Sequence, residues 1–341
     1  MSAISLTFST REDTSNEALL ALAKQADSLG YDTFFTGESW GRDAFTVLTM
    51  VACHTSTIRL GTGIIPVYSR TPGIIAQSIS SLDILSHGRA TLGLGTSGRI
   101  VVENWHGVPY DQPLHRTREY IEILRKALSG DRVNYSGRLF NVSRFALGAP
   151  PIQSHLPIYL ASLGPRNLEL TGQLADGWLP IWTHQRHIAD MKDTVAKAAA
   201  KVGRDISEIT VAPQVLCYVA DDCEDIENAE GLMRAHMAYY IGGMGSYYYN
   251  LFCRYGYESQ ASAVRDAWAD RDRSKAYAAI SDEMLEEITV FGDAATCKAK
   301  LDYFRQNGAD MPVVSFPHGS SDATIQNTLR ALAPSVGDKS S

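Results

Sequence analysis

Short apolar runs alternate with longer stretches of helical periodicity along most of this chain. Ile4 to Phe8 is β-like. Leu19, Leu22, Ala26 and Leu29 then share one face of a helix that starts at Ser15 and is closed by Gly30. Thr33 to Thr36 predicts the next strand, which runs into Gly37-Glu38-Ser39-Trp40-Gly41, and Asp43 caps a helix to about His54. Ile58 to Gly63 is strand three, Pro72 to Leu85 a helix, Ala90 to Leu94 strand four. Strand–helix steps with no hairpin signal between them predict a parallel sheet.

The rhythm then loosens. Residues 99–115 read as a loop, Thr117 to Leu128 as a helix, and Val133 to Phe140 as a small hairpin. It returns with strands at Pro157 to Ala161, Gly177 to Ile181, Ile209 to Val219 and Met311 to Phe316. Helices are predicted at Pro165 to Leu174, His187 to Val202 and Thr324 to Leu332, with a long helical stretch over 222–305. Strands followed by helices in this number predict a (β/α)8 TIM barrel of the α/β class. We expect one domain over 1–334, insertions at about 99–150 and 222–290 over the C-terminal face, and a frayed tail at 335–341.

Composition narrows the function. With 45% hydrophobic and 20% charged residues among 341, the chain is ordinary globular protein. Net charge is −7 and no long basic run occurs, which argues against nucleic acid. Five scattered cysteines without a C-x-x-C pair indicate neither a zinc site nor a disulfide framework. No signal-like start and no long apolar run is present, so a cytoplasmic protein without a membrane partner is expected.

The candidate chemistry lies at strand ends. Strand three ends in Leu60-Gly61-Thr62-Gly63-Ile64, strand four in Leu92-Gly93-Leu94-Gly95-Thr96-Ser97-Gly98. Glycines there admit unusual backbone conformations and let a flat ligand approach the main chain. Ligands of parallel α/β proteins bind at such C-terminal strand ends. The second stretch satisfies G-x-G-x-x-G, but it sits on the fourth strand and no capped helix is expected after Gly98, so a dinucleotide fold is disfavoured. Ala161-Ser162-Leu163-Gly164-Pro165 joins strand five to a helix with proline at its first position. Its free amides, with the Ser162 hydroxyl, form an anion site. His184 and His187 lack the carboxylates of a metal site, and no metal is expected. The aromatic patch of Tyr239, Tyr240, Tyr247, Tyr248, Tyr249, Phe252, Tyr255 and Tyr257 suits a substrate lid, a subunit surface or plain core.

Together Arg59-Leu60-Gly61-Thr62-Gly63-Ile64, Ser69-Arg70-Thr71-Pro72, Leu82-Asp83-Ile84-Leu85-Ser86-His87-Gly88-Arg89, Leu92-Gly93-Leu94-Gly95, Arg116-Thr117-Arg118-Glu119-Tyr120 and Leu163-Gly164-Pro165 resemble the bacterial luciferase-like superfamily, in particular its coenzyme F420-dependent oxidoreductase branch. The resemblance implies a barrel, usually a homodimer, with a deazaflavin ring at the C-terminal face. It implies a cis peptide at Gly63–Ile64 and the cofactor phosphate at Gly164-Pro165. Ring-side contacts would come from Glu38, Ser39, Gly63, Ile64, Gly95, Thr96, Ser97 and Gly98, and tail contacts from Ser162, Leu163, Gly164 and Pro165. Ser39 stands where relatives often have histidine, a commonly cited proton donor.

Hydride transfer to a small or medium organic substrate needs positioning and a route for a proton. Glu38, Glu103 and His106 are the candidates for that route, and Trp40 and Trp105 for pocket walls. The nearest alternative keeps the barrel but binds FMN as a monooxygenase with a separate flavin reductase. A non-catalytic flavin-binding barrel is the alternative of another class.

Overall fold

The computed structural model describes residues 3–9, 14–38, 41–220 and 222–334. Its centre is one parallel sheet. The strands are β1 (Ser5–Thr7), β2 (Thr33–Thr36), β3 (Arg59–Thr62), β4 (Ile65–Pro66), β5 (Ala90–Gly95), β6 (Val133–Ser136), β7 (Asn141–Phe145), β8 (Ile158–Leu160), β9 (Gly177–Trp178), β10 (Thr210–Val211), β11 (Gln214–Val219), β12 (Val290–Gly292) and β13 (Val313–Ser315). The order is β10-β9-β8-β5-β3-β2-β1-β13-β11-β12, with β4 beside β5; β6 and β7 form a separate hairpin. The sheet curls. Phe35 on β2, Val313 on β13 and Leu179, Ala212 and Met311 beside the ends of β9, β10 and β13 belong to strands separated in that order, yet form one buried cluster. They can meet only if the sheet wraps around them.

Parallel sheets need helical cover. Helices α1 (Asn16–Ser28), α2 (Ala44–Ala52), α3 (Pro72–Leu85), α4 (Pro113–Leu128), α5 (Pro165–Leu174) and α6 (Ile188–Ala200) follow successive strands. The 222–290 stretch supplies α7 (Cys223–Gly243), α8 (Ser246–Arg254), α9 (Glu258–Ala269), α10 (Arg273–Ala278) and α11 (Asp282–Ile288), which share an apolar core of their own around Met233, Met237, Ile241 and Phe252. Helices α12 (Ala294–Gln306) and α13 (Asp322–Ala331) complete the set. Local chemistry sets the starts: Ser15, Asp43 and Thr71 accept backbone N–H groups of α1, α2 and α3, and Pro72 opens α3.

Several expectations need correction. Residues 99–105 are helical rather than loop, with a π-type turn over Val101–Trp105, because Val101 and Val102 are buried there. Helix α4 begins at Pro113, four residues before the expected Thr117. The hairpin runs on to Phe145. The strand expected over Ile209 to Val219 is split, because Pro213 has no N–H to donate. Strand β12 escaped notice because its three residues lie inside a long helical pattern. The expected tail lies outside the described residues.

The hairpin hangs on one carboxylate. Buried Glu119 on α4 accepts the backbone N–H groups of Arg138 (2.7 Å), Leu139 (3.0 Å) and Phe140 (2.9 Å). Burial alone would raise its pKa, but these bonds outweigh it and hold it below the ordinary value. Folded Glu119 thus binds its proton less readily than unfolded Glu119. Its contribution is full above the unfolded pKa, about 4.3, and fades as pH falls below that. Glu119→Gln should cost about 1–3 kcal/mol at pH 7, and the loss should shrink when denaturant melts are repeated near pH 3.

Candidate active site

The site starts from how closely β3 and β5 pack. The Gly63–Ile64 peptide is cis, as the resemblance implied. Around it the glycines have a shape role. A Cβ on Gly37 would lie 2.7 Å from the Gly63 carbonyl oxygen, and one on Gly93 only 1.9 Å from that of Thr62. A Cβ on Gly95 would meet the Ile64 side chain at 3.0 Å and Ala161 at 3.4 Å. None of Gly63, Gly93, Gly95 and Gly98 has a positive φ; the left-handed residue of that loop is Ser97, at 58°. At Gly37, Gly93 and Gly95 close packing, rather than unusual backbone conformation, favours glycine, whereas a Cβ at Gly98 would make only ordinary contacts.

Above this floor opens a cavity of about 1020 Å³. Glu38, Gly63, Ile64, Gly95, Thr96, Ser97, Gly98, Ser162 and Leu163 all line it. One face of the sheet therefore gathers most of the residues expected at the cofactor. From the opposite side come residues of α7 and α8, including His236, Tyr239, Tyr240, Tyr247 and Tyr248. The aromatic patch thus divides: these tyrosines face the cavity, Phe252 and Tyr257 are insertion core, and Tyr255 packs on His184 and His187.

Glu38 is held firmly. Both its oxygens accept from the Arg70 guanidinium, which also donates to Asp43. Its backbone N–H donates to the Ile64 carbonyl at 3.1 Å. Asp43 lies below the ordinary carboxylate pKa: burial would raise it, but bonds from Thr46 and the Arg70 charge outweigh that.

The loop into α5 differs in detail from expectation. Gly164 caps α5 with φ −85°, which any residue can adopt, so it is not needed for a tight turn. A Cβ there would meet only the Tyr247 hydroxyl, at 3.7 Å. Ser162 is buried, and its Oγ lies 2.7 Å from Thr171 Oγ1. Thr171 gives its own hydrogen to the Asn167 carbonyl at 2.9 Å, so the Ser162 hydrogen turns inward and is not offered to an anion. Arg254 on α8 was not foreseen: its Nη2 donates to the Leu163 carbonyl at 3.3 Å and brings a positive charge to this end.

Glu103 and His106 are not in the cavity lining. Glu103 pairs with Arg99 and accepts the Tyr110 N–H at 3.2 Å. His106 Nε2 is buried without a partner. Trp105 is exposed. Ser39 and Trp40 lie outside the described residues. Sequence reasoning missed His236, His318, Trp182 and Gln214, which do line the cavity; no local motif marks them. Among the described residues no group of three or more His, Cys, Asp or Glu could hold a metal, and no helix is long and apolar enough to cross a membrane.

A curled parallel sheet whose strand ends open on a glycine-floored cavity defines a class of ligand-binding α/β proteins. Residues 3–311 match the family model of luciferase-like monooxygenases, and the chain belongs to that family, within its F420-dependent oxidoreductase branch. It is 31% identical over 314 residues to a Mycobacterium tuberculosis protein provisionally assigned as a coenzyme F420-dependent oxidoreductase, covering 86% of this chain and 89% of that one. It is 30% identical over 302 residues to the 5,10-methylenetetrahydromethanopterin reductase of Methanolobus tindarius, covering 87% and 89%. The structure of coenzyme F420-dependent tetrahydromethanopterin reductase from Methanopyrus kandleri superposes with a TM-score of 0.84 at 25% identity, covering 97% of each chain. The chain is accordingly an oxidoreductase.

Proposed function

We propose that this protein binds coenzyme F420 and moves a hydride between the deazaflavin and a small or medium-sized organic substrate. The observation that carries this reading is the single cavity joining the Gly63–Ile64 floor to the loop that starts α5. The cavity is large enough for a tricyclic ring and a substrate. Gly63, Ile64, Gly95, Thr96, Ser97 and Gly98 would hold the ring. The amides at Leu163, Gly164 and Pro165's helix, with Arg254, would hold the phosphate. When bound, the deazaflavin supplies the hydride-accepting and hydride-donating carbon. The chain's own part is to exclude water with its tyrosine roof and to fix Glu38 at the cavity edge, where it is the one expected acid in place to carry a proton. We further read the sheet as a closed (β/α)8 barrel in one domain. Only Ala212 and Pro213 separate β10 from β11, and Ile181 bridges Gln214 in parallel, which supports closure.

Fluorescence titration tests the cofactor. F420 should bind with about one equivalent per chain and FMN should not compete. Tight FMN binding with no affinity for F420 would overturn the reading in favour of a monooxygenase. Gly95→Val should weaken F420 binding by more than about tenfold, since its side chain would press on Ile64 and displace the cavity floor.

A further inference from the structure

Away from the glycine floor the cavity has a second polar feature. His236 on α7 and His318, just past β13, bring their ring centroids within 4.3 Å, and Trp182 stands edge-on to His236 at 5.5 Å. All three line the cavity. The His318 backbone N–H donates to His236 Nδ1 at 3.3 Å. A neutral ring that accepts at Nδ1 carries its hydrogen on Nε2. Burial, with His318 adjoining, drives the His236 pKa down to about 3, so the ring is neutral at ordinary pH. Its Nε2–H has no protein acceptor among the described residues.

Trp182 makes the place unusual. It is 3% exposed, has a φ of 58°, and its Nε1–H is buried without a partner. A bulky residue in the left-handed region persists only where its surroundings over-determine it, and such residues cluster at functional sites. The surroundings are visible. The next residues are tied to α11 by Gln185 and Arg186, both donating to Glu287, and to the start of α9 by His184, whose Nε2 lies 3.3 Å from the Tyr257 hydroxyl. Two neighbouring aromatic rings thus present N–H groups that the protein leaves unmatched. Leu216, Ile288, Phe316 and Ile325 make this end largely apolar; its other polar lining residues include Gln214, Tyr239, Tyr240 and Ser315, whose Oγ already donates to the Val215 carbonyl. An unmatched donor in an apolar pocket is what a ligand with one acceptor atom satisfies.

We propose that His236 Nε2–H, walled by Trp182, is the specificity-determining donor of this pocket, taking the carbonyl oxygen or imine nitrogen of a substrate whose body is otherwise apolar. This rests on the F420 reading, to which it adds a substrate class. His318 is a positioning residue that fixes the tautomer.

Two probes of nearly equal shape test it: acetophenone, which has a carbonyl oxygen, and α-methylstyrene, which has a methylene in its place. In protein reconstituted with F420, acetophenone should bind at least tenfold more tightly. His236→Phe should abolish that preference while leaving F420 affinity within twofold, and His236→Gln, which restores an amide N–H, should recover part of it. Nitrogen-15 spectra of the wild type should show the Nε2–H tautomer of His236, with its signal shifting on addition of acetophenone. Equal affinities in the wild type, no binding of either probe at millimolar concentration, a preference that survives His236→Phe, or an Nδ1–H tautomer would each overturn the proposal. F420 affinity is read in the same samples. Its absence sinks the cofactor reading, while probe preference in the cofactor-free protein still judges the donor.

Discussion

Gly93→Ala is expected to destabilise the protein by about 3 kcal/mol or more, lowering its melting temperature by about 6 °C or more. The added Cβ would lie 1.9 Å from the Thr62 carbonyl oxygen and 3.1 Å from its carbon. Neither strand can give way cheaply. Thr62 Oγ1 donates to the Gly93 carbonyl and accepts the Gly93 N–H, each at 2.8 Å, so moving β3 from β5 breaks both bonds. Thr62 and Gly93 are fully buried, and an N–H left unpaired there adds its own cost. Gly148→Ala is the control. Nothing lies within 4 Å of a Cβ at that position, and its melting curve should be unchanged. A Gly93→Ala protein that melts with the wild type would show that packing does not explain the glycine.

This shape role is also where the sequence was least legible. The βα rhythm exposed β2 and α3 with their observed ends, because each combines a strong local period with a capping or turn residue beside it. It pointed to the glycine-rich strand ends as the candidate site, and Gly63 and Gly95 line the cavity. It could not say why glycine stands there, because the atoms a Cβ would strike belong to another strand. The same limit hid Arg70. Nothing in Ser69-Arg70-Thr71-Pro72 announces an ion pair with Glu38, which lies 32 positions earlier in the chain. His236 and His318 are 82 positions apart and meet only through the fold. Glu103 and His106 looked apt because they follow a glycine loop, but the buried helical turn at Val101 and Val102 carries them out of the lining. Conversely, Ser162 was found in place but with its hydroxyl committed to Thr171.

Arg70→Ala should lower kcat/KM by about 100-fold, if Glu38 is the acid that the reaction uses. Arg70 donates to both oxygens of Glu38 and to Asp43, and stacks 5.4 Å over the Phe45 ring. The Glu38 and Arg70 side chains are 12% and 19% exposed, so this pair is screened less than a surface one. Removing the guanidinium leaves Glu38 and Asp43 near each other without their shared cation, and Glu38, which lines the cavity, facing an anionic cofactor on the reading above. Binding of F420 should therefore weaken as well, by about tenfold. Arg70→Lys keeps the charge but not the planar fork, and should fall between the two. The accompanying loss of stability should stay near 1 kcal/mol, because Asp43 is 42% exposed and solvent screens its share. Its pH dependence has a definite sign. Asp43 is held below its unfolded pKa, so the folded state binds fewer protons than the unfolded one. The stabilisation is complete above about pH 4 and is lost as pH falls through the lowered value. Melting curves of wild type and Arg70→Ala should differ at pH 7 and converge toward pH 3. A gap that stays constant on acidification would mean that Arg70 acts through its stacking on Phe45 and not through its carboxylate partners.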